Sequence, residues 1–133
     1  MTNAQDNLID TCKAIRSFLL EKSPTILVVG DLILDEYIHG TVDRISPEAP
    51  IPVVFNNDRT IRSGGAANVA NNLLALGADV RLLGVVGEDN SGAELLELLA
   101  RQKVNVDGVV ATSQRRTTQK TRIIAQNQQM LRL

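Results

Sequence analysis

Two spacings of apolar residues divide the first thirty positions into a helix and a strand. Over residues 8–20 the apolar side chains recur every three or four positions, which predicts an amphipathic helix. Cys12 belongs to this apolar pattern, where a small buried side chain is its expected role. The helix should end near Pro24, because proline disfavours helix in the residue before it. Residues 25–30 form a short β-branched run closed by glycine, typical of a central parallel strand buried on both faces.

The next segment, residues 36–63, has a different pattern. Short strand-like pieces at 37–42, 51–55 and 59–62 are separated by glycine, prolines and an Asn-Asn-Asp run. Pro52 fits an edge strand better than a central one, because proline cannot donate a hydrogen bond to a neighbouring strand. The segment is therefore predicted to be a small antiparallel flap, or lid, that stands off the main sheet.

After the lid, strands and helices alternate. We predict a helix over 66–76 with Gly77 just beyond its end, a strand over 80–86, a helix over 91–103 and a strand near 106–110. Such alternation gives right-handed βαβ units and a mostly parallel sheet.

Two further β-like pieces, 117–125 and 129–133, close the chain around a polar turn at 126–128. The last predicted strand runs into the final residue, Leu133, with nothing to close it. Residues 1–133 are therefore expected to form an α/β domain, with a mostly parallel sheet flanked by helices and a lid, that is truncated at its C-terminal side.

Composition narrows the class of ligand. The 133 residues are 44% hydrophobic and carry a net charge of −1, with 14 basic against 15 acidic residues and no long run of one sign. Binding to nucleic acid or to an anionic membrane has no electrostatic basis. The N-terminus has no basic leader, no apolar run reaches the roughly 18 residues of a membrane helix, and one cysteine cannot form an internal disulfide. A small ligand and a cytoplasmic location are the expectations.

The first candidate site follows the first strand, because open parallel sheets bind ligands at the carboxyl ends of their strands. Asp31 and Asp35 lie there, four positions apart. Carboxylates accept hydrogen bonds strongly and suit a polyol, which offers several hydroxyl donors. Closing the turn after the strand is an equally good explanation for either residue alone.

The second candidate site is the run of small residues that leads into the helix at 66–76. Gly64 and Gly65 would let a ligand approach the backbone closely, and free N–H groups at the helix start can donate to it. Asn68, one turn further on, can both donate and accept toward a sugar hydroxyl. Packing of the helix against a glycine turn is the favoured alternative when the motif is taken alone.

The third candidate site is on the strand predicted over 117–125. The period of a strand places Thr118, Lys120 and Arg122 on one face. Neighbouring cations repel each other unless an anion or an acid lies between them. The phosphate of a substrate could be that anion. An exposed strand with solvated charges explains the pattern equally well.

Other phosphate and metal motifs are poorly matched. Gly64-Gly65 lacks the G-x-G-x-x-G spacing after a strand, and no G-K-[ST] follows a glycine loop, so dinucleotide and P-loop sites are not supported. His39 is the single histidine and lies far from Cys12 in sequence, so no metal site is expected. A structural or solvent-facing role is expected for His39.

Taken together, residues 25–133 resemble the ribokinase/PfkB family of carbohydrate kinases. The first signature of that family asks for two glycines, a small residue, an asparagine and a small residue, with further glycines after spacers of six and nine. Every position is satisfied here, by Gly64, Gly65, Ala66, Asn68, Ala70, Gly77 and Gly87.

Within the family, residues 44–50, the Asp31–Asp35 segment and residues 118–129 resemble the heptose 7-phosphate kinases of lipopolysaccharide-core synthesis. The resemblance implies that Asp35 and Asp31 hold sugar hydroxyls, and that the turn at 84–92 is mainly structural. It further implies a substrate-binding set in which Gly64 and Gly65 line the sugar, Asn68 bonds to it, Lys120 and Arg122 contact the substrate and Arg44 holds its distal phosphate.

The implied activity is phosphorylation of D-glycero-β-D-manno-heptose 7-phosphate at C1 with ATP and Mg²⁺, in a homodimer paired through the lid. Family members carry a Gly-Ala-Gly-Asp segment that supplies the anion hole and the general base. No such segment occurs in residues 1–133, so the resemblance implies that the general base lies beyond Leu133 and that no catalytic residue lies before it. Residues 1–133 alone are therefore expected to be inactive. The alternatives are a non-catalytic sugar-phosphate-binding or dimerisation module, and a PfkB kinase for another sugar.

Overall fold

The computed structural model describes residues 2–133, with side chains from residue 6 onward. These residues form three helices and seven strands arranged in two sheets. In chain order the elements are α1 Thr2–Lys22, β1 Thr25–Val29, β2 Leu32–Ile45, β3 Pro52–Gly65, α2 Ala66–Ala75, β4 Asp79–Gly87, α3 Asn90–Arg101, β5 Asn105–Thr112, β6 Thr118–Ala125 and β7 Gln128–Arg132.

The first sheet contains the predicted βαβ units. Its three strands are all parallel, in the order β1-β4-β5, and α2 and α3 are the crossover helices. Apolar residues of one sheet face pack with the inner sides of both helices, as the alternating pattern predicted. The largest fully buried side chains among them are Val80, Leu82, Val86, Leu95 and Leu99.

The prediction for β1 is wrong in two respects. This strand pairs only with β4 among the described strands, so it lies at an edge of the sheet. Val28 is buried, but Leu27 and Val29 on the opposite face are each 62% exposed. Both crossover helices pack on the face that carries Val28, which leaves the other face of β1 open.

The second sheet, which we call the lid sheet, has the order β3-β2-β6-β7. Its antiparallel β2–β3 hairpin confirms the predicted lid, although each strand is a continuous 14 residues rather than a set of short pieces. The pairing register shifts between His39 and Gly40 and between Val42 and Arg44, and these irregularities let the strands continue through residues that were predicted to separate short pieces. Pro52 starts the edge strand β3, as its missing donor requires.

Strand β6 lies inside the lid sheet. It pairs parallel with β2 and antiparallel with β7, so the last two strands belong to the lid sheet. The turn between β6 and β7 places Gln126 and Asn127 at positive φ, 51° and 61°, the arrangement of a tight two-residue hairpin turn.

The last strand, β7, is paired on one side only among the described residues. The backbone of Leu133 exchanges two hydrogen bonds with that of Thr121 on β6, at 2.9 and 3.1 Å. The final residue is therefore secured on one side by the sheet, although its side chain is 71% exposed. The other side of β7 has no partner strand among the described residues, so β7 is an edge strand.

The first helix is longer than predicted, and most of its apolar residues are exposed. Leu19 is 7% exposed and belongs to the core, whereas Leu8 and Ile15 are 64% and 51% exposed. Cys12 is exposed, so its predicted burial is wrong. Helical periodicity identifies the apolar face, but it does not say what covers that face. Within residues 2–133, no helix is both long and apolar enough to cross a membrane.

Candidate functional site

The glycine pair is fixed by backbone geometry at the start of α2. Gly65 has φ +60°, a conformation that L side chains rarely adopt, and a Cβ there would overlap the carbonyl oxygen of Asp31. The same carbonyl accepts a hydrogen bond from the Ala66 amide at 2.9 Å. These contacts hold the N-terminus of α2 beside the end of β1. The space next to Gly65 is thus filled by the protein itself, which is the packing explanation of this motif.

Asp31 lies where the strand-end argument predicted. It is exposed and borders an open cleft of about 390 Å³ between the carboxyl end of β1 and residues 83–85 of β4. Asn68 is also exposed, in the first turn of α2. Both polar side chains therefore have solvent access at the end of the sheet.

Asp35 is held on the lid sheet by two neighbours. A Cβ on Gly64 would overlap the Asp35 carboxylate, so glycine at position 64 makes room for this acid. The carboxylate accepts a hydrogen bond from Arg122 Nη1 at 2.6 Å, and the two side chains are 19% and 22% exposed. The hydrogen bond and the negative charge of Asp35 raise the pKa of Arg122 above its usual value. The contact with Arg122 thus fixes the position of the Asp35 carboxylate.

The same face of the lid sheet carries several cations. Asp35 is paired with Arg62 on β3 and with Lys120 on β6, so all three side chains share a face. One row further along, Tyr37 is paired with Arg122. The ring of Tyr37 lies 5.0 Å from the Arg122 guanidinium and 5.4 Å from that of Arg62.

Two members of this cluster, Tyr37 and Arg62, were not among the site residues predicted from the sequence. Tyr37 had a usable signal, since it is two positions after Asp35 and must share its face within one strand. Arg62 had none, because its place opposite Asp35 depends on the hairpin register, which contains two irregularities.

The opposite face of the lid sheet is tied to the helical layer by a polar network around Glu36. This carboxylate accepts hydrogen bonds from Arg59 Nε and Thr121 Oγ1, each at 2.5 Å, and from Gln119 Nε2 at 2.7 Å. Burial acts to raise the pKa of Glu36, but these three donors outweigh it, and the pKa lies below its usual value. Arg59 also bonds to Glu94 on α3 at 2.7 Å, so the network fastens the lid to the helix.

A second set of contacts fixes the start of β6. Asp89 caps α3 by accepting from the Gly92 amide at 2.8 Å, and its other oxygen accepts from the Thr117 amide at 2.9 Å. Hydrogen bonds from Thr117, followed by that from Gly92, lower the pKa of Asp89. The Thr117 hydroxyl in turn accepts from the Gly87 amide at 2.8 Å. The turn at 84–92 therefore sets the position from which Lys120 and Arg122 project.

Two predicted residues lie apart from this cluster. Arg44 is exposed near the far end of β2, where its guanidinium lies 5.6 Å from the Phe55 ring. It follows Asp35 by nine residues, or roughly 30 Å of extended strand, so one copy of the chain does not bring the two together. His39 is exposed, in agreement with its predicted solvent-facing role. Among the described residues, no group of three or more His, Cys, Asp and Glu side chains is arranged to hold a metal ion.

Comparison with known proteins agrees with this architecture. The model of the pfkB family carbohydrate kinases matches residues 23–132. Among curated proteins, the bifunctional protein HldE of Sulfurimonas denitrificans is 49% identical over 120 residues, which are 90% of this chain and 24% of that protein. The bifunctional protein HldE of Trichlorobacter lovleyi is 51% identical over 117 residues, or 86% and 24%. The chain thus spans about a quarter of the length of these relatives.

Solved structures give the same result for the fold. Arabidopsis thaliana ribokinase, determined with ribose and ATP, matches with a TM-score of 0.65 at 21% identity, over 84% of this chain and 35% of that one. Fructokinase from Xylella fastidiosa matches with a TM-score of 0.58 at 29% identity, over 75% and 28%. The ribokinase-like fold predicted from the sequence is confirmed.

Proposed function

The chain belongs to the pfkB family of carbohydrate kinases, and we propose that it forms the sugar-binding part of an ATP-dependent heptose-phosphate kinase. The reaction would be phosphorylation of D-glycero-β-D-manno-heptose 7-phosphate at C1, giving the 1,7-bisphosphate for ADP-heptose and lipopolysaccharide-core synthesis. The resemblance of residues 44–50 and 118–129 to heptose 7-phosphate kinases supports this choice of substrate, and the chain is 49% and 51% identical to two proteins named HldE.

One structural observation carries the proposal: an ionised acid and several cations share one face of the lid sheet. Asp35 supplies an acceptor for sugar hydroxyls, because an ionised carboxylate can accept from several donors at once. Lys120 and Arg122 lie beside it and offer positive charge to a phosphate. A phosphorylated sugar needs both chemistries side by side, whereas an unphosphorylated sugar needs only the first.

Asp31, Asn68 and the glycine pair are the next proposed ligands of the sugar. Asp31 and Asn68 would reach further hydroxyls, since both are exposed beside the turn at Gly64 and Gly65. The glycine pair would line the sugar with its backbone. Its small size is already required by Asp31 and Asp35 themselves.

ATP and Mg²⁺ are part of the proposal for the complete protein. The described residues contain no set suited to Mg²⁺, so no step of the reaction is assigned to a metal site in residues 2–133. Phosphoryl transfer requires positioning of the acceptor and stabilisation of the moving charge. This chain would provide the first, and the general base would come from a segment beyond Leu133.

The domain assignment follows from the same reasoning. Residues 1–133 would be the N-terminal part of one kinase domain, with a lid over about 36–63 that pairs with a second copy in a cytoplasmic homodimer. Exposed Ile45 and Phe55, 59% and 45% accessible near the hairpin tip, support pairing through the lid. Arg44 lies in the same region and would reach a bound sugar only from such a partner.

The test combines binding with turnover. In titration calorimetry, this chain should bind D-glycero-β-D-manno-heptose 7-phosphate more tightly than fructose 6-phosphate. A longer protein that contains residues 1–133 should release ADP only when the heptose phosphate is present. Tight binding without ADP release by that longer protein would favour the alternative, a non-catalytic sugar-phosphate-binding module. ADP release with fructose 6-phosphate alone would favour a kinase for another sugar.

A further inference from the structure

Two neighbouring rows of residues on the open face of the lid sheet carry a large excess of positive charge. The first row is Arg62–Asp35–Lys120, and the second places Tyr37 beside Arg122. Arg132 on β7 extends the second row, since it is paired with Arg122. These two rows hold four cations and one acid, so they carry an excess of positive charge; the next acid on this face, Asp58, lies in the following row opposite His39.

Only one of the four cations has an acidic partner among the described residues. Arg122 is bound to Asp35 at 2.6 Å. In the part of the chain that the structure describes, no acidic side chain lies within salt-bridge distance of Arg62 or Lys120. Of the three cations that remain, Arg62 and Lys120 lie on either side of Asp35, and Arg132 lies beyond Arg122 on β7.

Tyr37 brings the two arginines together. Its ring contacts the guanidinium groups of both Arg62 and Arg122, with centroid distances of 5.4 and 5.0 Å. The ring face attracts each cation and partly offsets the repulsion between them. Two guanidinium groups are thus held beside one aromatic side chain, with N–H donors available to an outside acceptor.

We propose that Arg62 is a specificity-determining residue that binds the phosphate of a sugar phosphate, together with Lys120 and Arg122. A phosphate dianion would balance two of the three positive charges left after Asp35 has neutralised one cation, and arginine matches its geometry with two parallel hydrogen bonds. Tyr37 positions Arg62 for this contact. The assignment rests on the proposed function. It places the phosphate-binding site beside Asp35 rather than at Arg44, which lies near the hairpin tip.

The experiment compares Arg62→Gln with Arg44→Gln, the same change at the other arginine that was considered for the phosphate. Both residues are exposed, and circular dichroism spectra would establish that each variant is folded. Calorimetric titrations would use D-glycero-β-D-manno-heptose 7-phosphate, fructose 6-phosphate and the unphosphorylated heptose. We expect Arg62→Gln to weaken binding of the phosphorylated heptose about 10- to 100-fold and to leave the unphosphorylated heptose within about twofold. Arg62→Lys should recover part of the loss, because it restores the charge without the paired donors.

The outcomes separate this assignment from the proposed function. If the unmodified chain binds heptose 7-phosphate and Arg62→Gln binds it equally well, the phosphate assignment is refuted while the function stands. If binding is selective for fructose 6-phosphate and still depends on Arg62, the phosphate assignment stands and the heptose substrate is refuted. Equal losses for phosphorylated and unphosphorylated heptose, or a loss only in Arg44→Gln, would also overturn the role of Arg62. Failure of the unmodified chain to bind any sugar phosphate would overturn both.

Discussion

Replacing Asp35 by asparagine tests the centre of the proposed sugar site. The change keeps the shape of the side chain beside Gly64 but removes its charge and one of its accepting oxygens. A hydrogen bond to a charged group contributes about 1.5–3 kcal/mol, so affinity for the heptose should fall about 10- to 150-fold. The substitution should also lower the stability of the fold, because the Asp35–Arg122 pair is only about one-fifth exposed and Arg122 loses its acidic partner.

The choice of ligand matters in this measurement. Asp35→Asn releases Arg122 from its ion pair, and the freed guanidinium would bind a phosphate more strongly. The unphosphorylated heptose therefore reports the lost hydroxyl contacts more directly, and heptose 7-phosphate should show a smaller loss. Calorimetry with both sugars would measure this difference.

Asp43→Asn is the matched control for this test. Asp43 lies on the same strand, is exposed and undergoes the same chemical change, but it is eight residues from Asp35. His39→Ala, also on β2 and exposed, provides a second control. Both should keep the affinity of the unmodified chain within about twofold, as surface substitutions usually do. If Asp35→Asn lost no more affinity than these controls, Asp35 would not be a sugar ligand.

Three further predictions concern stability and turnover. Gly65→Ala should destabilise the fold by about 1–3 kcal/mol, seen as a lower melting temperature, because φ is +60° and the Cβ meets the Asp31 carbonyl; an unchanged melting temperature would contradict the packing explanation. The lowered pKa of Glu36 means that its ionised form stabilises the fold fully above the usual value of 4.5, and that this stabilisation is lost as pH falls through the lower folded pKa. Urea unfolding between about pH 7 and pH 3 should therefore show a steeper acid loss for the unmodified chain than for Glu36→Gln, and parallel curves would refute the role of the network. Residues 1–133 alone should release no ADP with heptose 7-phosphate and ATP, and robust turnover would show that the catalytic base lies within them rather than beyond Leu133.

The alternating part of the fold was predictable because its signals are local. Helix α2 ends beside Gly77, whose φ of +98° requires the glycine that marked the end in the sequence. The strands β4 and β5 follow from apolar runs of ordinary length. Local propensity and burial agree in this region, so the pattern alone is sufficient.

The lid was less predictable because its strands depend on pairing. Residues such as Gly40 normally end strands, but here the two strands continue through irregularities where neighbouring backbone groups still find partners. A Cβ at Gly40 would meet the Phe55 backbone, so this glycine serves close approach within the hairpin rather than a break. The pairing of Asp35 with Arg62 follows from that register and could not be obtained from spacing along one strand.

The two adjacent acids of β2, Asp35 and Glu36, differ in the structure and in the roles proposed for them. Successive residues of a strand project to opposite faces, so Asp35 and Glu36 face different surroundings although they are neighbours in sequence. Glu36 is 7% exposed and receives three donors, which leaves little capacity for an outside ligand. Asp35 receives one strong donor, from Arg122, and keeps accepting capacity on the open face. Glu36 fastens the lid to α3 through Arg59, so the orientation of Asp35 depends on contacts on the opposite face of the sheet from the proposed sugar site. Substitutions in the Glu36 network should therefore alter sugar affinity only indirectly, by changing the angle of the strand that carries Asp35. Such substitutions should lower the free energy of unfolding more than they lower sugar affinity, whereas Asp35→Asn should mainly lower sugar affinity.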